Sequence, residues 1–136
     1  MVIQTTPLVL GASLGEDGII YLNADGKITN ERLKQLSLWA DKVKELIGTE
    51  AAKGKDPILV LADISGLLHY ERKPITILRD LLAYDKQFPV RTAIVGGNMY
   101  VTILLESLFA ILVRKNIRQF HAKSEALLWL SAGIKK

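Results

Sequence analysis

A length of 136 residues and a hydrophobic fraction of 49% are enough for one domain with its own core. The sequence contains no cysteine, which excludes disulfides and thiolate chemistry. Its net charge of +4 is too modest and too evenly spread to indicate a nucleic-acid-binding surface. We interpret the densest basic cluster as a solvated rim, and it consists of Arg114, Lys115, Arg118 and Lys123.

Two stretches bear on where the protein resides. Residues 1–10 lack the basic and apolar regions of a signal peptide. The most apolar stretch, Tyr100–Val113, is shorter than the ~20 residues that span a bilayer, and Glu106 interrupts it. We therefore expect a cytoplasmic protein in which this stretch forms a buried helix.

The chain begins with a predicted β-hairpin. Leu8–Ala12 and Gly18–Asn23 are short apolar runs, and the residues between them are rich in turn formers. Asp25 and Gly26 then predict a second tight turn, because glycine adopts positive φ without steric hindrance.

The next segment predicts an amphipathic helix. Thr29 and Asn30 are suitable N-cap residues, and apolar side chains follow at helical spacing over residues 33–47. Gly48 is expected to end this helix in the left-handed conformation.

Three further strands are predicted downstream. Ile58–Ile64 is apolar almost without interruption, which is typical of a strand covered by helices on both faces. Val90–Val95 has a similar but weaker character, and Ile117–Phe120 is a short third candidate.

Helices are predicted after each of these strands. They cover 74–87, where Pro74 suits the first turn, 99–115 and about 123–131. The helix over 99–115 is apolar almost all the way round, so we expect it to be deeply covered. The element order β-β-α-β-α-β-α-β-α predicts an α/β fold in one domain of residues 1–136. Its central sheet of four or five strands should be mainly parallel, with the N-terminal hairpin as an antiparallel edge.

Four segments in this order resemble the STAS domain family, and more narrowly its SpoIIAA-like branch. The resemblance implies a small α/β layer with about four helices, packed mostly on one face of the sheet. It also implies a regulatory module, because the best-known members are anti-sigma factor antagonists switched by phosphorylation of a serine. The segments are Gly18–Leu22 with Gly26–Thr29, Ile58–Gly66, Val90–Gly97, and Phe120 with Glu125–Leu130.

The phosphorylation site of the family is not matched in this sequence. By register the family serine falls near Glu71 or Arg72, and the Asp-Ser-Ser-Gly motif that contains it is absent. Ser65 and Thr76 flank the position and are weak candidates for modification. We favour structural roles for both hydroxyls, as is usual near turns and helix starts.

The sequence contains no recognisable catalytic constellation. His69 and His121 are its two histidines, and neither has a partner at metal-ligand spacing. We place His69 in a loop with Tyr70. Asp63 ends the central strand, at the edge of the sheet where α/β proteins bind ligands. The reading we favour is that its carboxylate accepts loop N–H groups after Ser65 and Gly66. A small enzyme built on Asp63, His69 and Tyr70 is the function we rank lowest.

Two further features are candidates for binding. Gly96, Gly97 and Asn98 lie between a strand and a helix, where backbone N–H groups can hold an anion, although a tight turn capped by Asn98 is the commoner role. Glu106 lies within the apolar helix, and we expect it to face solvent or pair with a base rather than line a cavity.

The sequence therefore predicts a non-enzymatic module without metal or cofactor, and we expect it to form a homodimer, the commonest oligomer. Its partner is a protein; the alternative is an apolar ligand or membrane surface bound through helices 74–87 and 99–115. The candidate binding residues are Asp63, Ser65, His69, Tyr70, Gly96, Gly97, Asn98 and Glu106.

Overall fold

One six-stranded sheet organises the computed structural model, which describes residues 8–112 and 116–132. The strands run in the order β1-β2-β3-β5-β6, and β4 pairs with β2 beyond the end of β3. Only the β1–β2 pairing is antiparallel. The elements are β1 (Val9–Leu14), β2 (Ile20–Ile28), α1 (Leu33–Ala52) after a short 3₁₀ helix (Asn30–Arg32), β3 (Ile58–Asp63), β4 (Leu67–Tyr70), α2 (Ile75–Asp85), β5 (Val90–Val95), α3 (Met99–Leu112), β6 (Ile117–Phe120) and α4 (Lys123–Ala132).

The central strand β3 is covered on both faces, which confirms the interpretation of its apolar sequence. Ile58 and Val60 point into a cluster formed with α1 and α2. Leu59 and Leu61 point the other way, into a cluster formed with α4. All four side chains are at most 5% exposed. A strand in this position has a continuous apolar sequence because neither of its faces is exposed to solvent.

Three helices lie on one side of the sheet and one on the other, as the resemblance implies. Val43 of α1 and Leu81 of α2 are buried against the first face. Val101 of α3 packs into a neighbouring cluster on the same side, with Leu36 of α1. Leu130 of α4 is fully buried on the opposite face.

A cationic contact fastens α4 to the sheet. The guanidinium of Arg91 on β5 lies 3.6 Å from the centre of the Trp129 ring. The same guanidinium donates hydrogen bonds of 2.8 and 3.1 Å to the Trp129 carbonyl oxygen. Stacking and hydrogen bonding act together here, as suits a planar guanidinium.

The predicted tight turn at Asp25 and Gly26 is wrong, because both residues lie inside β2. Asp25 pairs with Val9 of β1, and Gly26 pairs with Leu67 of β4. A bulge between Gly26 and Lys27 accommodates the positive φ of 105° at Gly26. The glycine therefore bends a long strand instead of ending it.

Strand β4 was not predicted. After Asp63 the chain makes one turn, with Leu67 N–H donating to the Ile64 carbonyl oxygen at 3.0 Å. It then resumes pairing along the same edge of β2. Consequently β3 and β4 together follow nearly the whole length of β2, and the prediction that His69 lies in a loop is wrong.

Gly48 does not end α1 as predicted; the helix continues to Ala52. Beyond Gly48 the carboxylate of Glu50 is buried, with 5% of its side chain exposed. It forms ion pairs with Lys53 at 2.8 Å and with Lys55 at 3.4 Å. Lys55 also donates a hydrogen bond to the carbonyl oxygen of Gly18, which ties the end of α1 to the β1–β2 turn.

The Glu50 ion pairs lead us to predict how the stability of the fold depends on pH in the acidic range. A hydrogen bond from Lys53, reinforced by the charge of Lys55, holds the pKa of the Glu50 carboxyl below its ordinary value of 4.5. The unfolded chain then binds more protons, so this contribution to the free energy of unfolding is present above about pH 4.5 and is lost as pH falls through the lowered pKa. Urea unfolding at a series of acidic pH values should find a flatter pH dependence, and lower stability at neutral pH, in Glu50→Gln.

The matched control is Glu45→Gln, which removes an exposed carboxylate from the same helix. This variant should keep the pH profile of the parent protein. An unchanged profile in Glu50→Gln would contradict the role assigned to the ion pairs.

Candidate functional site

The turn after β3 is held by polar contacts within the chain. The carboxylate of Asp63 is exposed, and its Oδ1 accepts the N–H of Ser65 at 2.9 Å. The N–H of Ile64 donates to the Val95 carbonyl oxygen at 2.9 Å, which joins the turn to β5. Asp63 thus binds the loop backbone, but at Ser65 itself and not at the N–H groups after Ser65 and Gly66 that the sequence favours.

The Gly96-Gly97 turn lies directly against this β3 turn. Both glycines have positive φ, 84° at Gly96 and 107° at Gly97. A Cβ atom on Gly96 would lie 2.5 Å from Ser65 Oγ and 2.7 Å from Ser65 Cα. The two turns therefore touch through backbone atoms, and a side chain at Gly96 would separate them.

Asn98 connects the start of α3 to β4. Its side-chain oxygen accepts the N–H of Val101 at 3.0 Å and so caps the helix. Its side-chain nitrogen donates to the Leu68 carbonyl oxygen at 2.9 Å. The hydroxyl of Tyr70 donates to the Tyr100 carbonyl oxygen at 3.3 Å, and the His69 ring stacks on Tyr70 with centroids 6.2 Å apart.

The two elements joined by these contacts expose four large apolar side chains. Leu68 of β4 is 53% exposed, and Met99, Tyr100 and Ile103 of α3 are 77%, 70% and 55% exposed. We call these four residues the α3–β4 surface. The expectation that α3 is deeply covered is therefore wrong for this face, although Val101, Leu104 and Leu108 on the other face are buried.

The charged residues near α3 and β4 lie on different faces of the structure. Glu106 is exposed and follows Met99 and Ile103 at helical spacing, so it lies on the same face of α3. This agrees with one of the two environments that the sequence favours for Glu106, namely contact with solvent. Lys27 of β2 is the cross-strand neighbour of His69, and both are exposed. The adjacent Ile28 and Tyr70 pack into the cluster on the α3 side, so the side chains of Lys27 and His69 point to the opposite face of the sheet.

The position near which the family serine falls is occupied by Glu71. Its carboxylate accepts the N–H of Asn30 at 2.7 Å, and its own N–H donates to the Ile28 carbonyl oxygen at 2.8 Å. Thr76 is exposed in the first turn of α2, and Ser65 is exposed in the β3 turn. Neither hydroxyl belongs to the α3–β4 surface.

The basic cluster near the C-terminus is only partly described. Arg118 and Lys123 are exposed, and their charged groups lie 5.5 Å from the Phe120 ring and 5.4 Å from the Tyr21 ring. Arg114 and Lys115 lie outside the described residues.

The resolved pKa shifts lie away from the α3–β4 surface. The Tyr21 hydroxyl donates to Asp17 at 2.5 Å, which lowers the pKa of the Asp17 carboxyl and raises that of the Tyr21 phenol. This pair belongs to the β1–β2 turn, at the opposite end of the parallel strands. Burial lowers the pKa of Arg91, whose contacts with Trp129 are structural.

The described residues offer little for metal or membrane-spanning roles. Within 8–112 and 116–132, no three histidine or acidic side chains are grouped so that they could bind a metal ion. In the same ranges no helix combines the length and the apolar character needed to cross a membrane.

Sequence reasoning brought together some residues of this site and missed others. Asp63, Ser65, Gly96, Gly97 and Asn98 meet where β3, β5 and α3 adjoin, and Tyr70 and Glu106 lie next to the apolar residues of α3, whereas His69 points to the other face of the sheet. The four residues of the α3–β4 surface itself were not singled out. The signal was present, because a helix that is apolar all the way round must expose part of that surface if one side lacks a neighbour.

Comparison with known proteins identifies the fold. The chain matches no protein-family model and no curated protein. It is similar to an uncharacterized protein of the DUF3478 family with a SpoIIAA-like fold from Shewanella loihica PV-4, with 23% identity, a TM-score of 0.61, and 96% of this chain and 98% of that chain covered. It therefore has the SpoIIAA-like α/β fold.

Two anti-sigma factor antagonists share this fold. One is a putative anti-sigma factor antagonist from Thermotoga maritima, with 14% identity, a TM-score of 0.62, and 90% of this chain and 94% of that chain covered. The other is SpoIIAA in its unphosphorylated form, with 10% identity, a TM-score of 0.56, and 93% of this chain and 100% of that chain covered.

Substitution of two glycines by alanine tests whether the β3 turn and the Gly96-Gly97 turn are in close contact. Gly54→Ala should lower the free energy of unfolding by about 1–2 kcal/mol, because it places a Cβ at positive φ in open space. Gly96 has a similar φ, but a Cβ there must also displace the backbone of Ser65. Gly96→Ala should therefore lower the free energy of unfolding by a measurably larger amount. Urea unfolding of both variants gives the comparison, and equal losses would contradict the close packing of the turns.

Proposed function

We propose that this protein is a non-enzymatic regulatory module that binds a protein partner through the α3–β4 surface. The observation that carries the proposal is the grouping of Leu68, Met99, Tyr100 and Ile103, each more than half exposed, on adjoining elements. Contiguous exposed apolar side chains with a polar border are typical of interaction sites. Tyrosine and methionine are among the residues enriched at such interfaces.

The way this surface is held also favours binding. Asn98 fixes the start of α3 to the Leu68 carbonyl, and Tyr70 reaches the Tyr100 carbonyl. A surface that is already ordered loses less conformational entropy on association than a flexible loop.

The fold adds a regulatory context to the proposal. Two proteins of similar structure are described as anti-sigma factor antagonists. At the position of the family serine, Glu71 is bound to the backbone of Asn30, so we propose that recognition does not depend on phosphorylation there. Ser65 and Thr76 stay the candidate hydroxyls if a modification operates.

A charge placed on the surface should abolish partner binding. In Ile103→Lys, desolvation of an unpaired ammonium opposes docking, so recovery of the partner from lysate of the source cells should fall at least tenfold. Quantitative mass spectrometry after affinity capture with the full chain measures this recovery. The control is Leu128→Lys, which makes the same change at a leucine 72% exposed on α4.

The control variant should recover the partner as well as the parent protein does. Equal recovery by Ile103→Lys and the parent protein would contradict the proposed location of the site. Loss of recovery in both variants would contradict it as well, because the effect would then be general.

Binding of an apolar ligand or a membrane surface is the second candidate function. Exposed Met99 and Ile103 on an otherwise apolar helix favour it. The outer face of α2 does not contribute, because it exposes Arg79 and Asp80. Flotation with vesicles of phosphatidylcholine and phosphatidylglycerol tests this candidate: loss of flotation in Ile103→Lys but not in Leu128→Lys supports it, and no flotation of the parent protein removes it.

A further inference from the structure

We propose that this chain forms a two-fold symmetric dimer in which the β1 strands of two copies pair with each other and join two sheets into one. The inference goes beyond the proposed function, because none of the four residues of the α3–β4 surface lies in β1. Within residues 8–112 and 116–132, β1 is the end strand of the sheet, and β2 is its only strand neighbour. Its outer edge can therefore accept another strand.

The alternation of backbone groups identifies the residues that face this outer edge. In the register of the β1–β2 pairing, the N–H of Gly15 donates to the Ile19 carbonyl oxygen at 2.8 Å. Backbone groups of successive residues in a strand point to opposite edges, so the odd-numbered residues of β1 face β2 and the even-numbered residues face outward. The outward-facing residues of β1 are Leu10, Ala12 and Leu14.

Three other contacts agree with this assignment. The N–H of Gly26 donates to the Gly66 carbonyl oxygen at 2.9 Å, so the even-numbered residues of β2 face away from β1. The carbonyl of Leu8, just before β1, faces outward by the same alternation and accepts the side-chain amide of Gln35 at 2.6 Å. The Gly11 carbonyl oxygen accepts the Trp39 indole N–H at 2.9 Å, for which the second lone pair of an oxygen that faces β2 is available.

The three outward-facing residues are self-complementary about a two-fold axis at Ala12. In an antiparallel pairing of two β1 strands, Ala12 lies opposite Ala12 of the second copy, and Leu10 lies opposite Leu14 of the second copy. Each of these pairs exchanges two hydrogen bonds, which gives about six backbone hydrogen bonds across the axis. The intervening pair, Gly11 with Ser13 of the second copy, has small side chains that do not hinder the approach.

The side chains along this edge favour the same pairing. Leu10 and Ala12 pack towards the α1 side of the sheet, so Leu14, which has the same parity and is 41% exposed, gains an apolar cross-strand neighbour in the dimer. A groove of about 480 Å³ lies between β1 and α1, and Leu38 on its wall is 61% exposed. Because both α1 helices lie on the same face of the joined sheet, the two grooves adjoin at the axis. Lys42, the one charged residue that lines the groove, has a long side chain that can extend to solvent.

The two edges of the sheet differ in how they are protected. Natural edge strands are commonly kept from pairing by charged residues, proline or a short length. The other edge strand, β6, has only four residues and includes the exposed Arg118. Strand β1 has six residues, none of which is charged or proline. The open edge is therefore β1, and a two-fold dimer covers it in both copies without leaving a further edge there.

Cysteine crosslinking tests the register, because the natural sequence contains no cysteine. Ala12→Cys should form a disulfide between two copies under mild oxidation, since the paired Cα atoms are about 5.5 Å apart and disulfides span roughly 4.4–6.8 Å. Leu14→Cys alone should not crosslink, because the two positions are about 14 Å apart along the strands. A mixture of Leu10→Cys and Leu14→Cys should crosslink as the mixed dimer.

Sedimentation equilibrium of the full chain over a wide range of micromolar concentrations tests the dimer itself. The parent protein should shift from monomer to dimer mass. Ala12→Pro removes an outward-facing N–H at the axis, which an edge strand tolerates, and should raise the dissociation constant at least tenfold. Leu14→Lys should have the same effect without proline, and Leu128→Lys on α4 is the control that should dimerise like the parent protein.

Three results would overturn the inference. They are a monomer at every concentration, a dimer that persists in both Ala12→Pro and Leu14→Lys, and crosslinking of Leu14→Cys alone without crosslinking of Ala12→Cys. The proposed function fails separately, because Ile103→Lys leaves β1 unchanged. If the dimer forms as described but Ile103→Lys recovers the partner normally, the dimer stands and the proposed partner site is refuted.

Discussion

The burial of β3 on both faces is the constraint on which the rest of the structure depends. Ile58 and Val60 are covered by α1 and α2, whereas Leu59 and Leu61 are covered by α4. Removing large apolar side chains from such a strand costs about 2–5 kcal/mol each, so its position is strongly determined. With β3 fixed between two helical layers, its parallel neighbours β2 and β5 are fixed as well, and their carboxyl ends meet at one edge of the sheet.

That edge determines where the candidate site lies. The turn after β3 packs against the Gly96-Gly97 turn, and Asn98 then fastens the start of α3 to β4. Because α3 has neighbours on only part of its circumference, its outer face exposes Met99, Tyr100 and Ile103. The interaction surface is therefore a consequence of how the fold ends its central strands, and it lies close to the strand ends where α/β proteins commonly bind ligands.

The local pattern of apolar residues in the sequence predicted those elements that bury one continuous apolar run or one clear helical face. It predicted strands over Ile58–Ile64 and Val90–Val95 and a helix from about Met99, which match β3 to within one residue, β5 and the start of α3, because period and burial agree there. It failed where tertiary contacts override a local turn signal. Gly26 lies in a bulge inside β2, and α1 continues past Gly48 to a buried ion pair, neither of which is visible in residue type alone. The α3–β4 surface was missed for a related reason: sequence shows that a helix is apolar, but only the positions of its neighbours show which face stays uncovered.

Native-state hydrogen exchange tests the central constraint most directly. If β3 is the buried centre of the sheet, the amide groups of Val60 and Leu61 should exchange only through global unfolding, with a free energy equal to that from urea unfolding. Amide groups of the edge strand β1, such as that of Ser13, should exchange through smaller openings. Exchange of Val60 and Leu61 as fast as that of Ser13 would contradict the account, since the sheet would then lack the rigid centre that positions α3 and β4.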